Sequence, residues 1–369
     1  MSSPLERVSR FGQSVWIDWL SRDLVFSGGL QRLMNEHAVT GVTTNPTILE
    51  RAIATGQGYD RLIADLRAFD LSAREIATEL ARGDVSEAAL QLLPVWQASG
   101  GADGYVSWEV DPALAWNAAA TVAAVRELRE LVQLSNLLIK IPATEPGLRA
   151  LEDAIAAGFS INMTLIFSLE RYAAVVESYL RGLRRAADAG IDLRSIHSVA
   201  SFFISRLDSA ADAVLEEERS PFARALRGRL GIASAKLAYR HFQGCFSGAR
   251  WQALRAQGAS PQRPLWASTS TKNPAYRDVR YVEELIGPQT VTTLPQATLE
   301  AFEAHGQVAE TLAHDVERAA LTLDDLALAG LDLKRLTDEL EQDGIGQFAR
   351  SLDALEARIG SSQPQAKAA

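Results

Sequence analysis

Eight short runs rich in Val, Ile, Thr, Phe and Trp recur along this 369-residue chain, at 14–18, 41–45, 104–111, 136–142, 159–167, 196–203, 264–271 and 289–295. Longer stretches with apolar residues at helical spacing separate them, as at 112–133 and at 168–190, the second ending on a glycine suited to close a helix. Strands that alternate with helices pair in parallel, because each helix carries the chain back to the end where the next strand must start. Eight such units predict an α/β fold of the closed (β/α)8 TIM-barrel type rather than an open sheet. The connections 46–103 and 204–263 are long enough to carry additional helices, and 296–360 reads as a helical C-terminal tail. Residues 1–360 are thus expected to form a single barrel domain, with 361–369 a disordered tail.

The totals narrow the possible partners. A net charge of -9 and a pI near 5.2 argue against nucleic acid or an anionic membrane as the main partner, so an anionic ligand would need a local basic site. No run of 18 apolar residues offers a membrane span. The single Cys245 cannot form an internal disulfide, and the N-terminus lacks the apolar segment of a signal peptide, so a cytoplasmic location is expected. The five histidines, 37, 197, 241, 305 and 314, are scattered, and no metal centre is expected from them. Apolar surface on the added helices leaves a monomer or a homodimer open.

Within the fourth run, Lys140 is set among Leu137, Leu138, Ile139 and Ile141. An uninterrupted apolar run of this kind reads as a parallel strand covered on both faces, where lysine is rare. The chain has only five lysines among its 37 basic residues, so this one is conspicuous. Two explanations compete: an edge-strand lysine that discourages edge-to-edge pairing, or a desolvated amine that attacks a carbonyl and forms a Schiff base. A strand inside a closed barrel has no edge, which favours the second.

Strand side chains alternate between faces, and in a barrel one face meets the axis. With Lys140 inward, Asn136 and Leu138 share its face. The same rule groups Ser107, Glu109 and Asp111 in the third run, Ser160, Asn162 and Thr164 in the fifth, and Ser201 with Phe203 in the sixth. Asp18 ends the first run and Asn45 the second. These groups fall toward the C-terminal ends of the strands, where barrel enzymes place their sites. Each has a structural alternative: Asp18 could cap the next helix, Asn45 before Pro46 has the form of an N-cap, and Asn162 and Thr164 could satisfy one another. Glu109 is harder to explain structurally, because an unpaired buried carboxylate is costly. Arg206 follows the sixth run and Lys272 the seventh, and each is a candidate phosphate ligand if not a solvated surface charge.

The segments GVTTNPTIL, VSWEVD, LIKIPAT, INMTLIFS and SFFISR resemble, in that order, the motifs of the transaldolases, a class I Schiff-base aldolase family. The likeness covers about 14–305, and the long second connection is similar to the larger bacterial members rather than the short fructose-6-phosphate aldolases. What the resemblance implies is transfer of a dihydroxyacetone unit from sedoheptulose 7-phosphate to glyceraldehyde 3-phosphate in the pentose phosphate pathway, without a cofactor. Lys140 would be the Schiff-base residue. Glu109 and Thr164 would act through a water as acid and base, and Asp18 would take the substrate hydroxyl proton. Asn45, Asn162 and Ser201 would hold hydroxyls and Arg206 the phosphate. Phe203 matches a transaldolase phenylalanine where the aldolase branch has tyrosine. Lys272 stands where many members have arginine after the seventh strand, which keeps the charge but loses the bidentate fork. An aldolase that releases dihydroxyacetone and a catalytically silent sugar-phosphate binder are the alternatives.

Overall fold

The computed structural model describes residues 3–56, 58–218 and 220–361. Its strands are β1 Gln13–Ile17, β2 Val39–Thr43, β3 Tyr105–Glu109, β4 Leu137–Pro142, β5 Ile161–Ile166, β6 Ser198–Phe203, β7 Arg263–Ala267 and β8 Thr290–Leu294. They pair in parallel and in chain order, and β1 pairs with β8, from Gln13 opposite Thr290 to Ile17 opposite Leu294. The sheet is therefore a closed eight-stranded barrel, as the alternation predicted.

All eight expected strands are present, with ends that differ from the expected runs by up to four residues, most at β7. β2 runs 39–43 rather than 41–45: Thr44 N still bonds Ser107 O at 3.3 Å, but Asn45 already caps the helix Pro46–Thr55. β7 stops at Ala267, and Ser268 adopts φ 56, so 268–271 is loop. A left-handed residue ends the extended run that a strand needs. On the interior, residues two apart share a face. Trp16 packs over Gly41, where a Cβ would lie 2.5 Å from the indole, and its Nε1 donates to Asp103 at 2.8 Å. The large ring fills the barrel below the site, and glycine is what makes room for it.

The first long connection holds the helices Pro46–Thr55, Tyr59–Arg67 and Ala73–Ala98. Ala73–Ala98 is one continuous helix of 26 residues, opened by a capping box in which Ser72 and Glu75 satisfy each other's backbone N–H. Its apolar stripe continues past Gly83 through Val85, Ala88, Ala89 and Leu92, all buried. The second long connection contributes four helices, Ser205–Glu217, Pro221–Leu226, Leu230–Cys245 and Ala249–Arg255.

The helical tail is Gln296–His305, Val316–Leu328 and the 29-residue helix Leu333–Ser361. That last helix does not trail away from the barrel. It lies across the C-terminal mouth, with Ile345 and Phe348 in the main core, and with Leu355 and Ile359 in a second core beside Ile53, Tyr59, Ile63, Ile76 and Leu80. The tail expected to be disordered lies, from 362 on, outside the described residues. Among the described residues, no helix is long and apolar enough to cross a membrane.

Candidate active site

Strand register places the chemistry. Lys140 on β4 lies opposite Glu109 on β3 and Asn162 on β5, with Pro142 opposite Thr164 one step further along. The strand backbones thus bring an amine, a carboxyl, an amide and a hydroxyl to one end of the barrel. Lys140 Nζ is 3.1 Å from Glu109 Oε2 and donates to the Thr44 carbonyl at 3.2 Å. Both side chains are sealed, 4% and 1% exposed. A salt bridge this dry gains little stability over apolar packing, so its presence points to chemistry. Burial pushes the Glu109 carboxyl above the usual range, and the facing Lys140 charge only partly offsets this.

Asn162 is the centre of a hydrogen-bonded chain across three strands. Its Nδ2 donates to Ser107 at 3.0 Å, and its Oδ1 accepts from Ser201 at 2.7 Å. Asn162 and Thr164 therefore do not satisfy one another. The Thr164 hydroxyl is buried and meets no protein partner among the described residues, as is the case for Glu109 Oε1. Buried polar atoms left open in this way are suited to take a water or a substrate oxygen.

Asp18 lies just past β1. Its N–H donates to Leu294 O at 2.8 Å, closing the ladder to β8, and its Oδ1 accepts from the Thr43 hydroxyl at 2.7 Å. It is not a helix cap, since Ser21 caps the next helix. Asn45 does cap: its Oδ1 accepts from Ile48 N at 3.0 Å. The cap uses the amide oxygen, which leaves the amide NH2 to face the site. Two inward assignments fail. Asp111 lies beyond β3, where it caps the turn Pro112–Leu114 and pairs with Arg74. Asn136 precedes β4 and donates to the carbonyls of Ala89 and Gly104, both at 2.8 Å. Alternation holds only within a strand, and both residues sit outside one.

Asp18, Asn45, Lys140, Ser201, Phe203, Arg206 and Lys272 share the wall of one cavity of about 460 Å³. Arg206 sits at the start of the helix Ser205–Glu217, its guanidinium 5.4 Å from the Phe203 ring centroid. Burial pushes that guanidinium below its usual range, with Asp18 and Glu109 opposing, but arginine stays charged. Lys272 is exposed at the rim and donates to Ser270 at 2.6 Å. Partial desolvation, then the charges of Arg206 and Arg51, push its amine down. A larger cavity of about 640 Å³ adjoins, walled mainly by Leu49, Leu66, Phe69, Leu128, Leu131 and Leu355. Asn45, Glu109 and Arg74 also border it, but Lys140, Arg206 and Lys272 do not, so the amine chemistry belongs to the smaller one.

Among the wall residues that went unnoticed in the sequence are Arg51, Gln347 and Phe348. Arg51 had a signal, because it lies one turn beyond Ile48 on the helix that Asn45 caps, and so on a face that meets the mouth. Gln347 and Phe348 had none. Their helix reaches the site only through tertiary packing.

Comparison with known proteins agrees with this geometry. The sequence profile of the family described as transaldolase/fructose-6-phosphate aldolase matches residues 15–359. The chain is 46% identical over 356 residues to a protein named transaldolase 2 from Streptomyces avermitilis, covering 96% of each chain. It is also 46% identical over 360 residues to the transaldolase of Thermobifida fusca, covering 97% of this chain and 98% of that one. The same identity, over 96% of both chains, relates it to the transaldolase of Frankia alni. With its barrel, its buried lysine and its near full-length likeness to these enzymes, the chain belongs to the transaldolase/fructose-6-phosphate aldolase family.

Proposed function

We propose that this protein moves a dihydroxyacetone unit from sedoheptulose 7-phosphate to glyceraldehyde 3-phosphate, giving erythrose 4-phosphate and fructose 6-phosphate, through a Schiff base on Lys140. The observation that carries the proposal is the sealed Lys140–Glu109 pair at the strand ends, whose amine lines a cavity that also holds Arg206 and Lys272. Lys140 attacks the ketose carbonyl. Glu109, kept protonated to higher pH than an ordinary carboxyl by burial, supplies the proton that lets the carbinolamine lose water, relayed through a water held by Thr164. Asp18 removes the proton of the hydroxyl next to the bond that breaks, and the iminium accepts the electron pair. Asn45, Asn162 and Ser201 hold substrate hydroxyls, and Phe203 walls the chamber. Arg206 and Lys272 bind the phosphate, which accounts for a cationic cavity in an acidic protein.

Borohydride reduction in the presence of fructose 6-phosphate, followed by peptide mass mapping, tests the proposal. A stable sugar adduct on Lys140 is expected, together with its loss and loss of transfer in Lys140→Arg. Transfer without an adduct at Lys140 overturns the reading.

A further inference from the structure

We propose that Phe348, on the C-terminal helix, is a positioning residue that shields the Lys140 adduct from water and thereby sets the ratio of transfer to release. This rests on the Schiff-base reading above. Lys140 Nζ lies 5.7 Å from the centroid of the Phe348 ring, within reach of a cation–π contact. The other groups around that nitrogen are Glu109 and the Thr44 carbonyl, both supplied by the barrel wall. Phe348 alone comes from the helix across the mouth, is 1% exposed, and offers neither a proton nor a nucleophile. Gln347 beside it also lines the cavity.

The helix is fastened on both sides of this ring. Before it, Glu341 pairs with Arg171 at 3.3 Å. Gly344 packs on Leu165, where a Cβ would lie 2.9 Å from the leucine methyl, and Leu165 itself sits in a β5 bulge at φ 58. After it, Ser351 hydrogen-bonds Thr47 at 2.8 Å, Glu356 pairs with Arg74 at 2.7 Å, and Arg358 donates to Ala54 O at 2.9 Å. A ring held this firmly over the amine can act as a fixed roof.

The chemistry gives such a roof a task. Once the carbon–carbon bond breaks, a three-carbon enamine remains on Lys140. In transfer, its nucleophilic carbon attacks the acceptor aldehyde, whose oxygen takes a proton, and water then hydrolyses the resulting iminium to free the new ketose and the amine. In release, that carbon is protonated instead, water adds to the resulting iminium carbon, and the carbon–nitrogen bond breaks to return the amine and free dihydroxyacetone. Both outcomes share the lysine and the final hydrolysis of an iminium, but only release needs a proton delivered to the nucleophilic carbon, which water reaching the enamine supplies. Excluding that water favours transfer, and the aromatic face steadies the iminium charge without reacting.

The test measures two rates from fructose 6-phosphate: release of glyceraldehyde 3-phosphate without acceptor, and transfer to erythrose 4-phosphate. Relative to wild type, the release-to-transfer ratio is expected to rise about threefold in Phe348→Leu and about tenfold in Phe348→Ala, in proportion to the ring contact and volume lost. A wild-type ratio in folded Phe348→Ala overturns the proposal. If that variant does not fold, an unchanged ratio in Phe348→Leu does so. Borohydride trapping on the wild-type protein separates the two levels: an adduct on Lys140 with an unchanged ratio sinks the role of Phe348 alone, whereas no adduct sinks the Schiff-base reading beneath it.

Discussion

At the scale of single residues, Lys140 and Glu109 depend on each other. Removing either leaves a buried charge without its partner, which typically costs about 3–5 kcal/mol. Glu109→Leu is therefore expected to lower the urea denaturation midpoint sharply, and adding Lys140→Met is expected to restore most of the loss. Glu109→Gln keeps the shape and removes the proton, so kcat should fall about a hundredfold or more, with KM little changed. The pH dependence follows from burial. Because the folded carboxyl holds its proton above the usual carboxylate range, wild-type turnover limited by this acid should decline as pH rises through the raised value. The Gln variant should lack that decline in a pH–rate profile.

The helix Ser205–Glu217 and the loop after β7 carry the two proposed phosphate ligands, and they are joined by more than the sheet. On one face of the helix, Asp208 accepts from Tyr281 at 2.8 Å and from Gly231 N at 2.7 Å. One turn on, Asp212 accepts from Tyr276 at 2.5 Å and from Gly228 N at 2.7 Å. Ser205 and Ser268 hydrogen-bond at 2.8 Å across the strand ends. Arg206→Ala and Lys272→Ala are expected to raise KM for phosphorylated ketoses roughly tenfold or more, as befits lost charge-assisted hydrogen bonds. Steady-state kinetics with an unphosphorylated ketose should show no such change. Burial holds the Asp208 carboxyl up at about 6, against an ordinary value of 3.8. The folded state thus keeps a proton that the unfolded state has released. That contribution to stability is whole below the ordinary value and is lost as pH rises to about 6, at up to about 1.4 kcal/mol per pH unit. Asp208→Asn, which can still accept from Gly231 N, should flatten the denaturation midpoint across that window.

For the whole molecule, the C-terminal helix decides what kind of chamber the barrel encloses. Its far end is bound through Leu355, 1% exposed, and Ile359, fully buried, in the second core. Leu355→Ala should cost about 2–5 kcal/mol and make the segment beyond Ser351 more sensitive to protease under native conditions. The strands were legible because a period of two and a run of apolar residues are local signals, written within five to eight neighbouring positions. Lys140, Glu109, Asn162 and Thr164 were legible for the same reason: each is a polar residue on the inward face of an apolar strand, and parallel order makes their strands neighbours. Asp111 and Asn136 were misplaced where that alternation had already ended. By itself, then, the sequence determined the barrel, its interior face and the amine beside its carboxyl, because backbone periodicity transmits those directly. Only the tertiary structure decided that Gln347 lines the cavity and that Phe348 covers the lysine, since a helix more than 200 residues further along the chain docks by shape and buried area, which leave no mark in local spacing.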